Sequence, residues 1–289
     1  MNVMEIAVAI TCFNRKSQTL RCLNNLKSSC PDAINLRIHL TDDGSSDGTS
    51  EAVRAQFPDV HILSGDGTLF WSGGMRKAIE SAMQTEFDFL LWLNDDVELF
   101  PNALYETYQA IKKASHEDTS ILVGATLDKE DGSVTYSGLR YRHKVRKLKF
   151  ERVDPRIDQQ NLLCDTLNGN YVVLPRCVCE QVGNISCAVK HAMGDIEYGF
   201  RAHREGFEIR LLPNPVGICV ISPIDSAIKM RQRTFKQQIQ HLASPKILPP
   251  KDWWYMTSRY GGYLWIVSFV IPYIKGIWQW IAIRGKSNR

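Results

Sequence analysis

The sequence predicts an α/β protein, in which a mainly parallel sheet is flanked by helices over most of its 289 residues. Three observations support this fold class. Short apolar runs alternate with segments of helical periodicity in the first third of the chain, as in strands joined by crossover helices. One run is almost entirely apolar, as expected for a strand covered on both faces. Several runs end abruptly in polar residues, and open α/β sheets bind ligands at such strand ends.

The first two predicted strands are residues 5–11 and 35–41, with a helix between them. The second strand ends in residues 42–49, DDGSSDGT, which are rich in turn-forming and helix-capping residues. This composition predicts a tight turn followed by a helix, with Asp47 as its N-cap.

A third strand, residues 60–63, leads into a glycine-rich loop at 65–74 and a helix around 75–83. The run at 87–93, FDFLLWL, is too short for a typical helix and is broken abruptly by Asn-Asp-Asp at 94–96. It therefore predicts a buried fourth strand.

The pattern changes after a predicted helix at residues 101–114. Residues 121–149 indicate strands and loops rather than another strand–helix unit, and apolar character returns at 162–174. Residues 194–205 have helical spacing, and residues 207–212 form a predicted last strand. Beyond this point the composition becomes basic and aromatic, so we expect one domain over residues 1–222 and a helical appendage over residues 223–289.

Asp95 and Asp96 are adjacent carboxylates at the end of the buried fourth strand. They repel each other, and burying them is costly unless a cation or hydrogen-bond donors compensate. A hard divalent metal suits this position, because Mg²⁺ is often shared between one or two carboxylates and substrate phosphates. The alternative is that the pair only ends a strand and caps a helix opened by Pro101.

Three strand ends, taken together, resemble glycosyltransferase family 2, whose members have the GT-A fold. They are TCFNR at residues 11–15, DDGSSDGT at 42–49 and NDD at 94–96, and the resemblance covers residues 4–215. Asn94 replaces the first Asp of the usual acidic motif, a variation that resembles the bacterial rhamnosyl- and galactosyltransferase branches.

The resemblance implies a nucleotide-sugar site. Asp96 would hold Mg²⁺ or Mn²⁺, Asp95 would contact the nucleotide or ribose, and Asp43 would hydrogen-bond the base. A metal there acts as a Lewis acid, since charge grows on the diphosphate as the glycosidic bond breaks. Thr11 and Phe13 would line the base pocket. The remaining donor-binding residues predicted around these strand ends are Asn14, Arg15 and Gly44. The alternative for Asp43 is a capped turn.

The glycine-rich segment is the second candidate site. Its glycines allow close backbone approach, and it leads to a helix N-terminus suited to anions, although it lacks the GxxxxGK[ST] pattern. It resembles the family segment beside the donor sugar and diphosphate. We expect Trp71 either to stack on a sugar ring or to pack the loop, and Arg76 to hold phosphate from the first turn of the helix. The glycines assigned to the donor site are Gly67, Gly73 and Gly74.

The third candidate is HAMGDIEYGFR, residues 191–201. Inverting transfer needs a base that takes the proton of the acceptor hydroxyl. By resemblance this base is Asp195, with Glu197 and Arg201 on the acceptor side, although Gly194 replaces the Glu that family members carry. The alternative is that Asp195 is a helix N-cap. Residues 215–222 contain no histidine, where the family often has one near the metal or diphosphate.

The last fifth of the chain is basic and rich in tryptophan. From residue 228 onward, eleven basic residues are opposed only by Asp252, and five of the seven tryptophans lie there. Aromatic rings and basic side chains favour helices lying on an anionic membrane. A membrane span over 263–283, interrupted by Pro272, and a tail packed on its own domain or on a dimer partner remain open. No nucleic-acid motif accompanies the basic residues.

The sequence therefore predicts an inverting, metal-dependent glycosyltransferase that uses a nucleoside-diphosphate sugar. The expected acceptor is a lipid-linked glycan of surface polysaccharide or O-antigen assembly. Eight scattered cysteines without a CxxC pair, and a first strand with no secretory signal before it, favour a cytoplasmic protein at the inner face of the membrane.

Two alternatives come from other functional classes. A nucleotidylyltransferase would have a glycine-rich basic loop after the first strand, whereas TCFNRK contains no glycine. A non-catalytic protein that binds sugar nucleotides or membranes would keep the fold without turnover.

Overall fold

A computed structural model describes residues 3–113, 119–143, 148–190, 193–221, 232–245 and 247–285. Its centre is an eight-stranded mixed sheet with the strand order β11-β14-β6-β13-β4-β1-β2-β3. The strands of this sheet are β1 (Met4–Cys12), β2 (Ile34–Asp42), β3 (His61–Ser64), β4 (Phe89–Leu93), β6 (Ile121–Val123), β11 (Leu163–Cys164), β13 (Tyr171–Pro175) and β14 (Ile209–Leu211).

The parallel half of the sheet consists of β3, β2, β1 and β4, whereas β13 runs antiparallel between β4 and β6. The predicted α/β fold is therefore confirmed. The apolar run of β4 has a simple cause. Leu90 and Trp92 enter the core on one face of the sheet, and Leu91 and Leu93 enter the core on the other. Both faces are covered, so no position in β4 needs a polar side chain.

Two smaller sheets flank the central one. A four-stranded sheet has the order β5-β15-β7-β8, and a three-stranded sheet has the order β10-β9-β12. Their strands are β5 (Glu98–Leu99), β7 (Thr126–Leu127), β8 (Val134–Tyr136), β9 (Gly138–Tyr141), β10 (Phe150–Arg152), β12 (Thr166–Leu167) and β15 (Gly217–Ile218). Strands and loops thus fill the segment where the alternating pattern stops, as predicted.

The helices of the described residues lie on both faces of the sheet and in the tail. They are α1 (Lys16–Ser28), α2 (Thr49–Gln56), α3 (Phe70–Ala82), α4 (Ala103–Lys113), α5 (Arg176–Val182), α6 (Gly194–Arg204), α7 (Phe235–Leu242), α8 (Pro250–Tyr260) and α9 (Trp265–Gly285).

Three predicted helix starts differ from the structure. Helix α2 begins at Thr49 with Gly48 as N-cap, although Asp47 accepts the N–H of Thr49 at 3.1 Å. Helix α4 begins at Ala103, after the short strand β5, so Asp95 and Asp96 do not cap a helix opened by Pro101. Helix α3 begins at Phe70, five residues before its predicted start.

The tail does not form a separate body. Trp253, Met256 and Tyr260 of α8 share a hydrophobic cluster with Val189 and with Phe200 of α6. Burial of these large side chains joins α8 to the predicted catalytic domain. The predicted domain boundary itself falls mostly on residues 222–231, which lie outside the described residues.

Helix α9 continues through Pro272 without interruption. One face packs on the rest of the tail, where the indole N–H of the buried Trp280 donates to the carbonyl of Arg233 at 3.1 Å. The segment Gly262–Arg284 is 23 residues long, its most apolar 18-residue window has a mean hydropathy of 1.5, and only 17% of that window is buried. By length and composition this helix could cross a membrane.

Candidate active site

One cavity of about 450 Å³ lies at the edge of the sheet where β1, β2 and β4 end. The start of α6 closes another side of it. The residues that line the cavity are Thr11, Cys12, Phe13, Arg15, Asp43, Gly67, Phe70, Trp71, Asn94, Asp95, Asp96, Tyr136, Gly169, Asn170, Met193 and Asp195. The three strand-end motifs and the candidate base, far apart in sequence, therefore face one space.

Arg15 joins the two adjacent carboxylates of the cavity. One terminal nitrogen donates to Oδ1 of Asp95 at 2.9 Å and to Oδ2 of Asp96 at 2.7 Å. The side chain of Asp95 is only 5% exposed, and that of Asp96 is 26% exposed. Burial raises the pKa of Asp95 to about 7, although the Arg15 guanidinium opposes this shift. Asp96 is therefore the more open of the two carboxylates.

Asn94 has a different role from that of a metal ligand. Its Oδ1 accepts the indole N–H of Trp71 at 2.7 Å. The Trp71 ring is partly buried against the hydrophobic core and lies beside Gly169, where a Cβ would come within 2.5 Å of Cζ2. Trp71 is thus fixed in the cavity wall, in α3 rather than in a loop, and packing against the core accounts for its orientation.

Asp43 organises the glycine-rich segment. Its Oδ1 accepts the N–H of Gly67 at 2.9 Å, and its Oδ2 accepts the N–H of Phe70 at 3.1 Å. The carboxylate just after β2 therefore satisfies the N–H of Phe70, the first residue of α3, and so stabilises the early start of that helix. The carboxylate is 4% exposed, so its first role is structural, and a contact to a base stays a prediction.

Asn14 and Gly44 belong to the same connection between strand ends. Asn14 adopts a left-handed φ of 51°, and its Oδ1 accepts the N–H of Ser46 at 2.8 Å. Gly44 has φ 76°, and a Cβ there would lie 3.1 Å from the backbone nitrogen of Gly67. Both residues hold the loops together beside the cavity and are absent from its lining.

Helix α3 carries the other glycines and the predicted phosphate ligand. Gly74 lies against Thr11, where a Cβ would overlap Oγ1 and come within 2.8 Å of Thr11 Cβ. Arg76 is in the second turn of α3, not the first, and is not among the cavity residues. One of its terminal nitrogens is buried without a partner among the described residues. The structure therefore does not bring Arg76 to the cavity, because the early start of α3 shifts it down the helix.

Asp195 lies in the first turn of α6, facing the cavity. Its Oδ2 accepts the N–H of Gly169 at 2.8 Å, and its Oδ1 accepts the N–H of Ile196 at 2.8 Å. Met193, not Asp195, is the N-cap of α6, so the capping alternative does not describe this residue. Burial raises the pKa of Asp195, while the two backbone donors oppose that change.

Glu197 and Arg201 do not reach the cavity. Glu197 is completely buried, and its Oε2 accepts the Nε–H of Arg201 at 2.9 Å. Arg201 also donates to the carbonyl oxygens of Val182 and Asn184, at 2.6 and 2.8 Å. The predicted acceptor-side placement of these two residues is therefore corrected: they face α5 and the tail, because they lie on the side of α6 away from Asp195.

The donor set of the cavity fits a hard divalent cation. The described residues contain no group of three or more His, Cys, Asp or Glu side chains that could hold a metal by themselves. Asp95 and Asp96 supply carboxylate oxygens, and Mg²⁺ typically completes such a shell with water and substrate phosphate. Residues 215–222 contain no histidine, but the thiol of Cys219 in this segment donates to Asp96 Oδ1 at 3.4 Å.

Several cavity residues were not predicted from the sequence. Gly169 and Asn170 precede β13, and because β13 is antiparallel, its amino end lies at the edge where the parallel strands end. Their polar, turn-forming character was a usable indication. Tyr136 comes from β8 in another sheet, and Met193 precedes α6, so neither position could be placed without the tertiary structure.

The sequence model described as "Glycosyl transferase family 2" matches residues 7–169. None of the curated proteins matches the chain. The crystal structure of S. aureus TarS 1-349 is similar with a TM-score of 0.54 and 15% identity, covering 88% of this chain and 70% of that one. GalNAc-T7 with UDP, GalNAc and Mn²⁺ has a TM-score of 0.56 and 13% identity, covering 73% of this chain and 42% of that one. At these identities the likeness to solved structures concerns the fold.

Proposed function

Because this chain belongs to glycosyl transferase family 2, we propose that it transfers a sugar, with inversion, from a nucleoside-diphosphate sugar to an acceptor hydroxyl. The observation that carries the proposal is that the Asp95–Asp96 pair and Asp195 line the same cavity. A leaving diphosphate and an attacking hydroxyl both need charged groups, and the cavity offers them on separate walls.

On the donor side, Thr11, Phe13 and Asp95 line the cavity, and Thr11 and Phe13 would bound the space for the base while Asp95 would contact the ribose. Asp96 would hold Mg²⁺ or Mn²⁺, which when bound neutralises the charge that develops on the leaving diphosphate. Arg15 bridges both carboxylates and holds them in place before donor arrives. Structures similar in fold contain UDP, or UDP with Mn²⁺, which supports a nucleotide and a divalent cation here.

From the first turn of α6, Asp195 acts as the catalytic base. Its carboxylate is oriented by the N–H groups of Gly169 and Ile196. It takes the proton of the acceptor hydroxyl as that oxygen forms a bond to the anomeric carbon. The bond from the anomeric carbon to the diphosphate breaks at the same time, and its electron pair leaves with the diphosphate. The raised pKa makes Asp195 a stronger base than an ordinary aspartate.

For the acceptor, we propose a lipid-linked glycan intermediate of surface polysaccharide assembly, met at the cytoplasmic face of a membrane. Support comes from the exposed face of the tail. Tyr263, Ile266, Ile274 and Trp278 are exposed along this face, and Trp278 is 68% exposed. Lys275 is exposed between the last two. Apolar and basic side chains on one helix suit an anionic lipid surface, which would bring the cavity to a lipid-linked acceptor.

Nucleotide binding and turnover test the function separately. Thermal unfolding is measured with a panel of nucleoside diphosphates, with and without Mn²⁺, because a ligand at 100 times its Kd stabilises the folded state by about 2.7 kcal/mol. Release of nucleoside diphosphate is then measured with the matching sugar donors and membrane extract as acceptor. Stabilisation without release would indicate a non-catalytic binder. Pyrophosphate release from a nucleoside triphosphate and a sugar phosphate would indicate a nucleotidylyltransferase.

A further inference from the structure

Helix α6 presents two carboxylates in opposite directions. Asp195 faces the cavity, whereas Glu197 is completely buried against the tail. Residues two apart on an α-helix differ by about 200° in direction, so the two side chains lie on opposite faces of one rigid element. Any force that fixes Glu197 therefore also fixes the direction of Asp195.

The tail supplies the groups that fix Glu197. Its Oε1 accepts the hydroxyl of Tyr255 at 3.2 Å and the hydroxyl of Tyr260 at 3.0 Å, and both residues belong to α8. Together with Arg201, they satisfy a carboxylate that has no access to water. A buried charge is tolerated only when it is paired and hydrogen-bonded, so α8 is necessary to the environment of α6.

Helix α8 also contacts the chain ahead of α6 and the last turn of α6. Before α6 begins, Oδ2 of the buried Asp252 accepts the N–H of Lys190 at 2.8 Å. At its last turn, Arg204 donates to the carbonyl of Arg259 at 3.0 Å and lies 4.5 Å from the centre of the Tyr260 ring. The tail helix thus contacts the base-bearing helix in its middle and at its end, and also contacts Lys190 in the chain ahead of it.

The residue between these contacts and the cavity is strained. Met193 is the N-cap of α6 with a left-handed φ of 68°, an uncommon conformation for a residue other than glycine. It lines the cavity and also packs against the cluster formed with α8. Such a backbone persists only where its surroundings hold it, and here α8 provides part of those surroundings.

We propose that α8 is a positioning element of the active site: through Tyr255, Tyr260 and Asp252 it holds the first turn of α6, and hence Asp195, in its orientation toward the acceptor. This inference rests on the proposed function, since it assigns a purpose to the direction of the base. It adds to that function a role for the tail that is independent of membrane binding.

The test compares the full-length double variant Tyr255→Phe/Tyr260→Phe with wild type. Both phenylalanines keep the rings and their packing but remove the two donors to Glu197. We expect kcat to fall about tenfold with the donor Kd unchanged, and amide hydrogen exchange in residues 194–200 to become about tenfold faster, while α4 exchanges as before. The matched control is Tyr105→Phe, which removes an exposed tyrosine hydroxyl on α4. The single variant Tyr255→Phe gives a milder change if the double variant is poorly folded.

A second experiment distinguishes positioning of Asp195 from a purely structural role of the two tyrosines. In an Asp195→Asn background, the two Tyr→Phe changes should lower the residual kcat by less than twofold, because positioning an absent base has no further effect. The proposal is overturned if the double variant has the same kcat and the same amide hydrogen exchange rates as wild type. It is equally overturned if amide exchange becomes faster across the whole chain, or if the two Tyr→Phe changes lower kcat as much in the Asp195→Asn background as in wild type. If wild type shows no turnover with any donor, the proposed function fails, and exchange at residues 194–200 alone decides whether α8 orders α6.

Discussion

Asp95 and Asp195 are carboxylates at one cavity, but their partners differ in kind. Asp95 shares the guanidinium of Arg15 with Asp96, so a full positive charge compensates it. Asp195 is held by two backbone N–H groups, which orient it without neutralising it. A carboxylate paired with a cation suits ligand binding, whereas one that is oriented but uncompensated can accept a proton. This difference is what the proposed division between ligand binding at Asp95 and proton transfer at Asp195 requires.

Replacing Asp195 with Asn keeps the shape of the side chain and removes its basicity. Turnover should fall by about 10²–10⁴-fold, the usual contribution of a positioned base, with little change in donor affinity. The raised pKa of Asp195 means that protonation removes the base at a higher pH than the ordinary 3.8. The acid limb of kcat/KM should therefore lie above that value in wild type and be absent from the variant. As a control, Asp131→Asn alters a carboxylate in a turn. Near-normal turnover in Asp195→Asn would refute the assignment of Asp195 as the catalytic base.

Replacing Arg15 with Met removes the charge that joins Asp95 and Asp96 but keeps most of the side-chain stem. Leaving the buried Asp95 unpaired should lower the free energy of unfolding by about 1–3 kcal/mol in EDTA. The folded pKa of Asp95, about 7, lies above its ordinary 3.8, so stability from the protonated form is present at low pH and lost as pH rises through 7. The loss in the free energy of unfolding of Arg15→Met, relative to wild type, should therefore be larger at high pH.

Divalent cations should offset this deficit. If Asp96 holds the metal beside Asp95, Mn²⁺ should raise the thermal midpoint of Arg15→Met more than that of wild type. Asp96→Ala should abolish both this stabilisation and Mn²⁺-dependent nucleotide binding. Arg156→Met, which breaks an exposed ion pair with Asp154, should change stability by no more than about 0.5 kcal/mol. Undiminished activity of wild type in EDTA would contradict the metal assignment.

At the scale of elements, the contact between α3 and β1 shapes the cavity. Gly74 lets the helix approach so closely that its backbone touches Thr11, which lines the cavity. Asp43 caps the same helix from the end of β2. Gly74 therefore serves the packing of α3 on the sheet, and the cavity wall depends on that packing more than on an exposed anion-binding loop.

Gly74→Ala tests this packing. The added methyl overlaps the Thr11 side chain, and overpacking of this kind should cost about 1–3 kcal/mol in the free energy of unfolding. Gly73→Ala is the matched control on the same helix, because its Cβ would lie 3.1 Å from Leu69 Cβ, a tight contact rather than the overlap found at Gly74. There the higher helix propensity of Ala, worth up to about 1 kcal/mol, should offset the contact. Urea unfolding measures both variants, and equal losses would argue against the proposed role of Gly74.

At the scale of the whole molecule, the tail has two faces. Trp253, Met256 and Tyr260 of α8 pack into the catalytic domain. The outer face of α9, in contrast, exposes large apolar side chains. Cutting the chain before residue 228 would therefore expose Glu197 and remove part of a core. Truncation would therefore not distinguish loss of folding from loss of membrane binding, whereas substitutions on the outer face of α9 do.

The triple variant Val267→Glu/Ile274→Glu/Trp278→Glu changes exposed positions of α9 and should leave the fold intact. If this face inserts into lipid, the variant should lose most flotation with anionic liposomes, because each buried large apolar side chain contributes about 1.5–3 kcal/mol. Part of the flotation of the wild-type protein should persist at high salt, because salt screens the attraction between charges but not the insertion of apolar side chains.

The control for this prediction is Ile157→Glu, at an apolar side chain exposed elsewhere. Unchanged flotation of the triple variant would rule out this face as the membrane contact. If sedimentation instead shows that the substitutions separate a wild-type dimer, the face is a dimer interface.

The sequence by itself determined the α/β fold and the family, because strand periodicity and strand-end motifs are local patterns. It also placed Asp95 and Asp96 beside the other strand-end motifs, since parallel strands end at a common edge, whereas Asp195 was assigned only by resemblance to the family. Only the tertiary structure decided that Asp43 caps α3, that Arg76 points elsewhere, and that Glu197 anchors the tail. These outcomes depend on where a helix begins and how it is rotated, and both are set by contacts between residues distant in sequence. Helical periodicity marks which face is apolar, but it does not reveal which partner that face meets.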